Sequence, residues 1–223
     1  MVSSTFKQIL LRSQATQMVL SSSLAVLLLG ARFLWTGHTE YRFLVWNLFL
    51  AWVPYVIAVA IRWRHAREAR TLSLVPLFVL WLGFLPNAPY LVTDFVHLRY
   101  RASGPVWFDV VMLASFAWAG MGLGAASLRA CSHVVRVRHG SLVATIFIPL
   151  AALATGFGVY LGRFVRLNTW DVATRPFTVL AQVLSPFLHP FGYARAWTVT
   201  LVFAVFFVVA YLASGRTRRA YLM

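Results

Sequence analysis

The sequence has 223 residues, of which 61% are hydrophobic and 11% charged, and its formal net charge is +15. A soluble domain of this length would carry about 25% charged residues. The composition therefore excludes a water-soluble globular domain and indicates an integral membrane protein whose apolar surface faces lipid. Cys131 is the single cysteine, which excludes an intramolecular disulfide. The basic residues form short clusters between apolar runs, a pattern typical of topology signals and anionic-lipid contacts rather than of nucleic-acid binding.

Six apolar runs of about 20 residues predict an all-α, polytopic transmembrane helix bundle, with residues 1–223 as a single domain. The predicted spans are 17–36, 43–62, 72–92, 106–127, 142–163 and 196–214. Pro176 would begin a further helix over 175–188, because proline is favoured at the first helical position. This helix is expected to lie on the membrane surface.

The loop charges predict the orientation of the bundle. Of the 20 basic residues, twelve would lie on one side and seven on the other, with Arg32 inside the first span. The side richer in Lys and Arg is normally cytoplasmic. Both termini are therefore expected in the cytoplasm, and Arg32 is expected to snorkel toward the outer surface.

Two prolines, Pro86 and Pro89, interrupt the third span near its outer end. Proline removes a backbone donor and crowds the preceding turn, so the span is predicted to kink or break there. The freed carbonyl groups would then need partners from neighbouring helices or from water in a cavity. Beyond the break, Tyr90, Asp94 and His97 would share one face of a new short helix.

Polar residues concentrate at the predicted outer ends of the second to fifth spans. Four of the five acidic residues lie there, and only Glu68 is on the other side. Because ionised groups in hydrocarbon are costly unless paired or hydrated, this distribution predicts an outward-facing polar pocket. The candidate ligand-binding residues are Asn47, Asn87, Tyr90, Asp94, Asp109, Arg163, Arg166, Asn168 and Asp171.

The candidate catalytic residues are the titratable members of this group, Asp94, His97, Asp109 and Asp171. Asp94 and His97 have the spacing of an acid–imidazole pair or of two metal ligands, and the alternative is a polar pair that hydrates a helix end. Zinc needs three or four ligands, so these two alone make a weak metal site. Asp171 could instead be an acid in the first turn of a helix capped by Asn168.

Arg163 and Arg166 are three residues apart and could clamp a phosphate or carboxylate together. The alternative is an ion pair with Asp94, Asp109 or Asp171. Small residues form stripes at Gly120 and Gly124 and at Gly158 and Gly162, which permit close helix packing. If the fourth and fifth spans packed there, Asp109 and Arg163 would lie in one layer and share one pocket.

Three stretches occur in order and resemble the DUF1361 family of bacterial polytopic membrane proteins. They are WNLFLAWVPY (46–55), FLPNAPYLVTDFVHL (84–98) and YLGRFVRLNTWDV (160–172). The resemblance implies a multi-pass protein of the bacterial inner membrane. It supplies no reaction, substrate, cofactor or catalytic residue, because the function of the family is unknown.

The sequence leaves three classes of function open, and it does not decide whether the protein is an enzyme. The first is a pocket that binds, and in one version processes, an anionic lipid head group or a similar anion. The second is a small transporter or channel, which polarity confined to one face disfavours. The third is a structural or assembly partner in a membrane complex. The lipid bilayer and anionic lipids are the expected partners, and nucleic acid is not.

Overall fold

A computed structural model of the chain describes residues 4–99, 104–167 and 171–216, and all the regular structure in these ranges is helical. Seven segments are α1 (Ser4–Thr36), α2 (Phe43–Ala66), α3 (Thr71–Phe84), α4 (Asn87–Tyr90), a 3₁₀ helix (Leu91–Arg99), α5 (Val106–Tyr160) and a π-helical turn (Leu161–Val165). The others are α6 (Asp171–Thr174), α7 (Pro176–Leu188), a 3₁₀ turn (Pro190–Tyr193) and α8 (Ala194–Arg216). The all-α prediction is confirmed.

Within the described residues, five helical stretches are long and apolar enough to cross a membrane: Gln14–Thr36, Phe43–Ala66, Thr71–Leu98, Val106–Val165 and Pro190–Ser214. Their outward-facing side chains include many exposed large hydrophobics, such as Leu34 at 84% and Leu72 at 84% exposure. Because such surface is stable only in contact with lipid, the chain is a multi-pass membrane protein.

The fourth of these stretches, Val106–Val165, contains two helices rather than one. Gly140 has φ 89° and ψ 171°, which no right-handed helix contains. Trp81 donates a hydrogen bond to Ser127 Oγ (3.3 Å) and also stacks on Phe147 with ring centroids 5.7 Å apart. Ser127 and Phe147 would be about 30 Å apart on a straight helix. The chain therefore reverses between them, and glycine at 140 tolerates the positive φ.

The third predicted span passes from an α-helix into a 3₁₀ helix, and the backbone between them stays in right-handed helical conformation. The α-helix ends at Phe84, yet Leu85, Pro86 and Leu91 keep right-handed helical dihedral angles. In an α-helix Leu85 O would accept a hydrogen bond from the N–H of residue 89, but Pro89 has no N–H. Leu85 O accepts instead from the Ala88 N–H, which is a 3₁₀ pattern. A sharp kink at Pro86/Pro89 thus stays a prediction. The nine-residue 3₁₀ helix that follows differs from the expected α-helix, and nine residues is long for this conformation.

Three glycines of α5 pack closely against the segment 86–91. A Cβ at Gly120 would overlap Ala88 O and the Leu91 side chain, and one at Gly124 would lie 2.9 Å from Ala88 Cβ. On the second half of α5, a Cβ at Gly158 would overlap the Pro86 ring. The predicted role of these glycines in close packing is therefore supported, but their partner is the segment 86–91. Gly156 packs in the same way on the Thr200 backbone of α8.

We expect Gly158→Ala to destabilise the fold, because the rigid Pro86 ring cannot move away from the added methyl group. Overpacking of this kind costs about 1–3 kcal/mol. Gly30→Ala is the matched control, since Gly30 is also inside a helix and has nothing within 4 Å of the built Cβ. Thermal unfolding in detergent, followed by circular dichroism, should give a lower midpoint for Gly158→Ala only. Equal midpoints for the two variants would contradict the close contact.

Candidate functional site

Most of the polar side chains singled out above, among the described residues, lie at the end of the bundle where α1 ends, α2 begins, and α3 and the second half of α5 end. The described contacts gather them into two clusters rather than one. The first cluster is centred on Asp109 in the first turn of α5, and the second on Asp94 in the 3₁₀ helix. Both carboxylates are almost completely buried, with 1% and 0% exposure.

Arg32 of α1 is the partner of Asp109. Its Nε donates to Asp109 Oδ1 (2.6 Å) and its Nη2 to Oδ2 (3.3 Å), a bidentate arrangement. Tyr41 donates its hydroxyl to Asp109 Oδ2 (3.4 Å), and its ring packs 4.5 Å from the Arg32 guanidinium carbon. Glu40 lies 3.7 Å from Arg32 Nη2. This cluster joins α1, the α1–α2 connection and α5 through charge-assisted hydrogen bonds.

Arg32 was expected to snorkel, and that expectation is wrong. The residue is 1% exposed and occupies the partner position that Asp109 was predicted to need. The expected partner in one shared layer, Arg163, contacts Asp94 instead. One sequence signal was available, because an arginine inside an apolar span is costly and should have been assigned a carboxylate. Tyr41 and Glu40 contact Arg32, so they were not predicted as members of the cluster either.

Asp94 sits between three helical segments. Asn47 of α2 donates from Nδ2 to Asp94 Oδ2 at 3.0 Å. Asp94 Oδ1 lies 3.5 Å from Arg163 Nη1, at the end of the second half of α5. Arg163 also donates from Nη2 to Thr93 O (3.0 Å) and from Nη1 to the Tyr90 hydroxyl (3.4 Å). Asp94 therefore ties the 3₁₀ helix to both α2 and α5.

His97 lies one 3₁₀ turn after Asp94, so the two residues do share a face. His97 Nδ1 is 3.1 Å from Asp94 O and 3.9 Å from Asp94 Oδ1, and its ring packs against Phe43 at 4.6 Å. Within the described part of the chain, no group of three or more His, Cys, Asp or Glu residues could hold a metal ion. Asp94 and His97 alone are fewer ligands than zinc requires.

A cavity of about 370 Å³ opens beside the second cluster. Asn47, Asn87 and Tyr90 supply its polar groups. The rest of the wall is mainly apolar or glycine and includes Trp46, Leu50, Gly83, Gly158, Val179 and Val183. Asn87 donates from Nδ2 to Phe84 O (3.0 Å), which satisfies a carbonyl where the α-helix ends. The Asn87 side chain thus both satisfies a carbonyl group at the helix end and lines the cavity.

Arg163 and Arg166 do not form the predicted pair on one helical face. The helix ends in a π-helical turn, and Arg166 takes a left-handed conformation with φ 62° that lets Leu167 N–H donate to Leu161 O. Arg163 is held at the Asp94 cluster, whereas Arg166 is exposed. Asp171 begins α6 and accepts the Arg175 N–H at its carbonyl. Asn168 lies outside the described residues.

The helix α7 begins at Pro176, as predicted, and covers one side of the cavity with Val179 and Val183. Its other side chains include the exposed Phe177, Leu180, Leu184 and Phe187. The helix thus carries apolar groups both toward the cavity and outward, and its location on the membrane surface stays a prediction.

These features define the class of protein: a helical, multi-pass membrane protein with buried carboxylates paired to arginines and a mainly apolar cavity that carries a few polar groups at the same end. A family model for proteins of unknown function, DUF1361, matches residues 46–211. The chain belongs to the DUF1361 family, and the predicted resemblance is confirmed. No solved structure matches the chain.

We expect Asp109→Asn and Arg32→Gln to destabilise the protein individually. Breaking a buried ion pair costs about 3–5 kcal/mol, because the remaining charge is left without compensation. The double variant Arg32→Met/Asp109→Leu removes both charges and should recover much of the loss. Thermal unfolding in detergent measures all three, with Arg175→Gln as an exposed control. A double variant at least as unstable as the sum of the single variants would contradict a charge-based role.

Proposed function

We propose that this protein is a single transmembrane domain that binds an anionic lipid head group in the cavity beside Asp94. The observation that carries the proposal is the combination of Asn47, Asn87 and Tyr90 with a largely apolar wall. Pockets of this kind fix a ligand with a few polar groups and bury its apolar part. A phosphate attached to an apolar chain has the matching chemistry.

Arg163 favours an anion over a neutral ligand. A guanidinium has five N–H donors, and Arg163 uses two of them on Tyr90 and Thr93. Its 3.5 Å distance to Asp94 is long for a charge-assisted hydrogen bond, and 18% of the side chain is exposed. Arg163 therefore retains donors for a phosphate near Tyr90. The same contacts also favour a structural role, in which Asp94 and Arg163 only join helices.

Native mass spectrometry of the full chain in detergent can test the ligand. We expect phosphatidylglycerol or a polyprenyl phosphate to bind in preference to phosphatidylcholine, and these two lipids distinguish the two sources of the phosphate. Arg163→Gln should weaken the binding about tenfold, the effect of losing one hydrogen bond to a charged group. Arg175→Gln, at an exposed arginine nearby, is the control.

Equal binding of phosphatidylcholine, or equal losses in Arg163→Gln and Arg175→Gln, would contradict the proposed ligand. Asn87→Leu provides a second test, because it removes polarity from the cavity without changing charge. If Arg163→Gln and Asn87→Leu both unfold at lower temperature and bind lipid normally, the structural role is the better explanation.

We further propose six membrane crossings, with both termini in the cytoplasm and the polar cavity facing the outside of a bacterial inner membrane. The reversal at Gly140 supports six crossings, and the concentration of arginine near α2–α3 supports the orientation. In a Cys131→Ser background, cysteines at 39 and 175 should react with an impermeant thiol reagent on intact cells. Cysteines at 66 and 139 should react only after permeabilisation. The opposite pattern would reverse the orientation, and labelling of 139 with 175 would remove two crossings.

A further inference from the structure

A second cavity, of about 330 Å³, lies between α3 and α5 near the end of the bundle opposite the polar cluster. We call it the α3–α5 groove. Its wall is almost entirely apolar and is formed mainly by Leu74, Val75, Phe78, Val79, Leu82 and Phe147. Thr71, Arg138 and His139 close one end. From Thr71 to Leu82 the groove follows α3 for about 16 Å, roughly half the thickness of a bilayer's hydrocarbon core.

The groove opens on the side of the bundle that faces lipid. Val79, in its wall, is 67% exposed, and Leu72, at the start of the same helix, is 84% exposed. The occupant must therefore come from the membrane, and its buried part must be apolar. A single acyl chain has this shape and chemistry.

Arg138 lies at one end of the groove, and among the described residues it forms no ion pair with a carboxylate. Its Nε donates to His65 Nδ1 (2.9 Å), its Nη1 to Thr71 Oγ1 (2.8 Å) and its Nη2 to Ala69 O (2.6 Å). All three acceptors are neutral, because a histidine nitrogen that accepts a hydrogen bond carries no proton. Two of the five guanidinium N–H donors remain. Arg138 is thus oriented in advance by neutral groups, which leaves its positive charge for an anion.

The surroundings of Arg138 have the same sign of charge. The segments 62–70 and 136–139 together contain six arginines and one acidic residue, Glu68. Basic clusters next to membrane helices attract anionic lipids, by about 1 kcal/mol for each basic residue near the surface.

We propose that the α3–α5 groove binds one acyl chain of an anionic glycerophospholipid, with the lipid phosphate beside Arg138. This site is separate from the cavity beside Asp94, because the two cavities share no lining residue. Arg138 packs at the Thr71 end of α3, whereas Asp94 lies beyond its other end. The apolar wall selects the chain, and Arg138 selects the charge of the head group. Either feature alone would describe ordinary contact with the bilayer, and their alignment along one helix makes a site.

The test uses the full chain reconstituted in phosphatidylcholine vesicles that contain a trace of spin-labelled phosphatidylglycerol or spin-labelled phosphatidylcholine. The motionally restricted fraction of each label gives the selectivity of the protein for the anionic lipid. We expect clear selectivity for phosphatidylglycerol in the unmodified protein. Arg138→Gln should reduce it about fivefold, and Arg138→Lys, which keeps the charge, should retain most of it.

Two matched controls separate the site from general effects. Arg136→Gln removes the same charge from an exposed arginine that does not line the groove, and it should leave most of the selectivity. Val79→Trp fills the groove and should reduce selectivity about as much as Arg138→Gln, without changing charge. Leu80→Trp places the same tryptophan side chain at an exposed neighbour outside the groove and should have no effect.

Equal losses in Arg136→Gln and Arg138→Gln would overturn the proposal, since charge anywhere on this surface would then be sufficient. Unchanged selectivity in Val79→Trp would also overturn it, and that variant carries the test if Arg138→Gln fails to fold. A negative result here leaves the cavity beside Asp94 untouched, because that cavity is tested by Arg163→Gln.

Discussion

Two buried carboxylates, Asp109 and Asp94, and their arginine partners determine how one end of this bundle is assembled. A charge removed from water must be matched by another charge or by several hydrogen bonds. Arg32 and Asp109 meet this requirement with a bidentate contact, and Tyr41 completes it. Together they connect α1 with the first half of α5. Asp94 does the same for α2 and the second half of α5, through Asn47 and Arg163. The helices at this end therefore hold fixed positions around a cavity, as a binding site requires.

The third helix makes the second pair possible. Pro86 and Pro89 remove two backbone donors, and the chain responds by passing into a 3₁₀ helix. This winding rises about 2.0 Å per residue and repeats every three residues, so Asp94 and His97 lie on one side, one turn apart. The glycines at 120, 124 and 158 let both halves of α5 approach the proline segment closely. Close backbone contact and a change from α to 3₁₀ winding thus accompany the two prolines.

The sequence predicted the class of fold, the helix starts at Pro176 and near Phe43, and the end of the bundle that holds the acidic residues. These features depend on local composition and on proline chemistry, which can be evaluated one segment at a time. Which arginine meets which carboxylate could not be predicted, because it depends on the rotation of each helix about its axis. Arg32 and Arg163 were both possible partners for Asp109. Side chains one residue apart on an α-helix point in directions that differ by about 100°, so a small error in helix rotation changes the predicted partner. The winding of residues 91–99 was missed because no local pattern distinguishes a long 3₁₀ helix from an α-helix.

The two ends of α3 differ in a way that bears on function. At one end, Arg32 and Arg163 meet carboxylates, and Arg163 keeps donors beside a cavity lined by carboxamides. At the other, Arg138 is oriented by neutral acceptors and is left without a carboxylate among the described residues. A site whose charges are paired has little net charge, so it does not attract every anion equally. It can therefore discriminate between ligands by hydrogen-bond geometry. An uncompensated site attracts any anionic lipid and discriminates mainly by charge. The polar cavity is therefore the better candidate for a specific ligand, and the groove beside Arg138 for a bound membrane lipid.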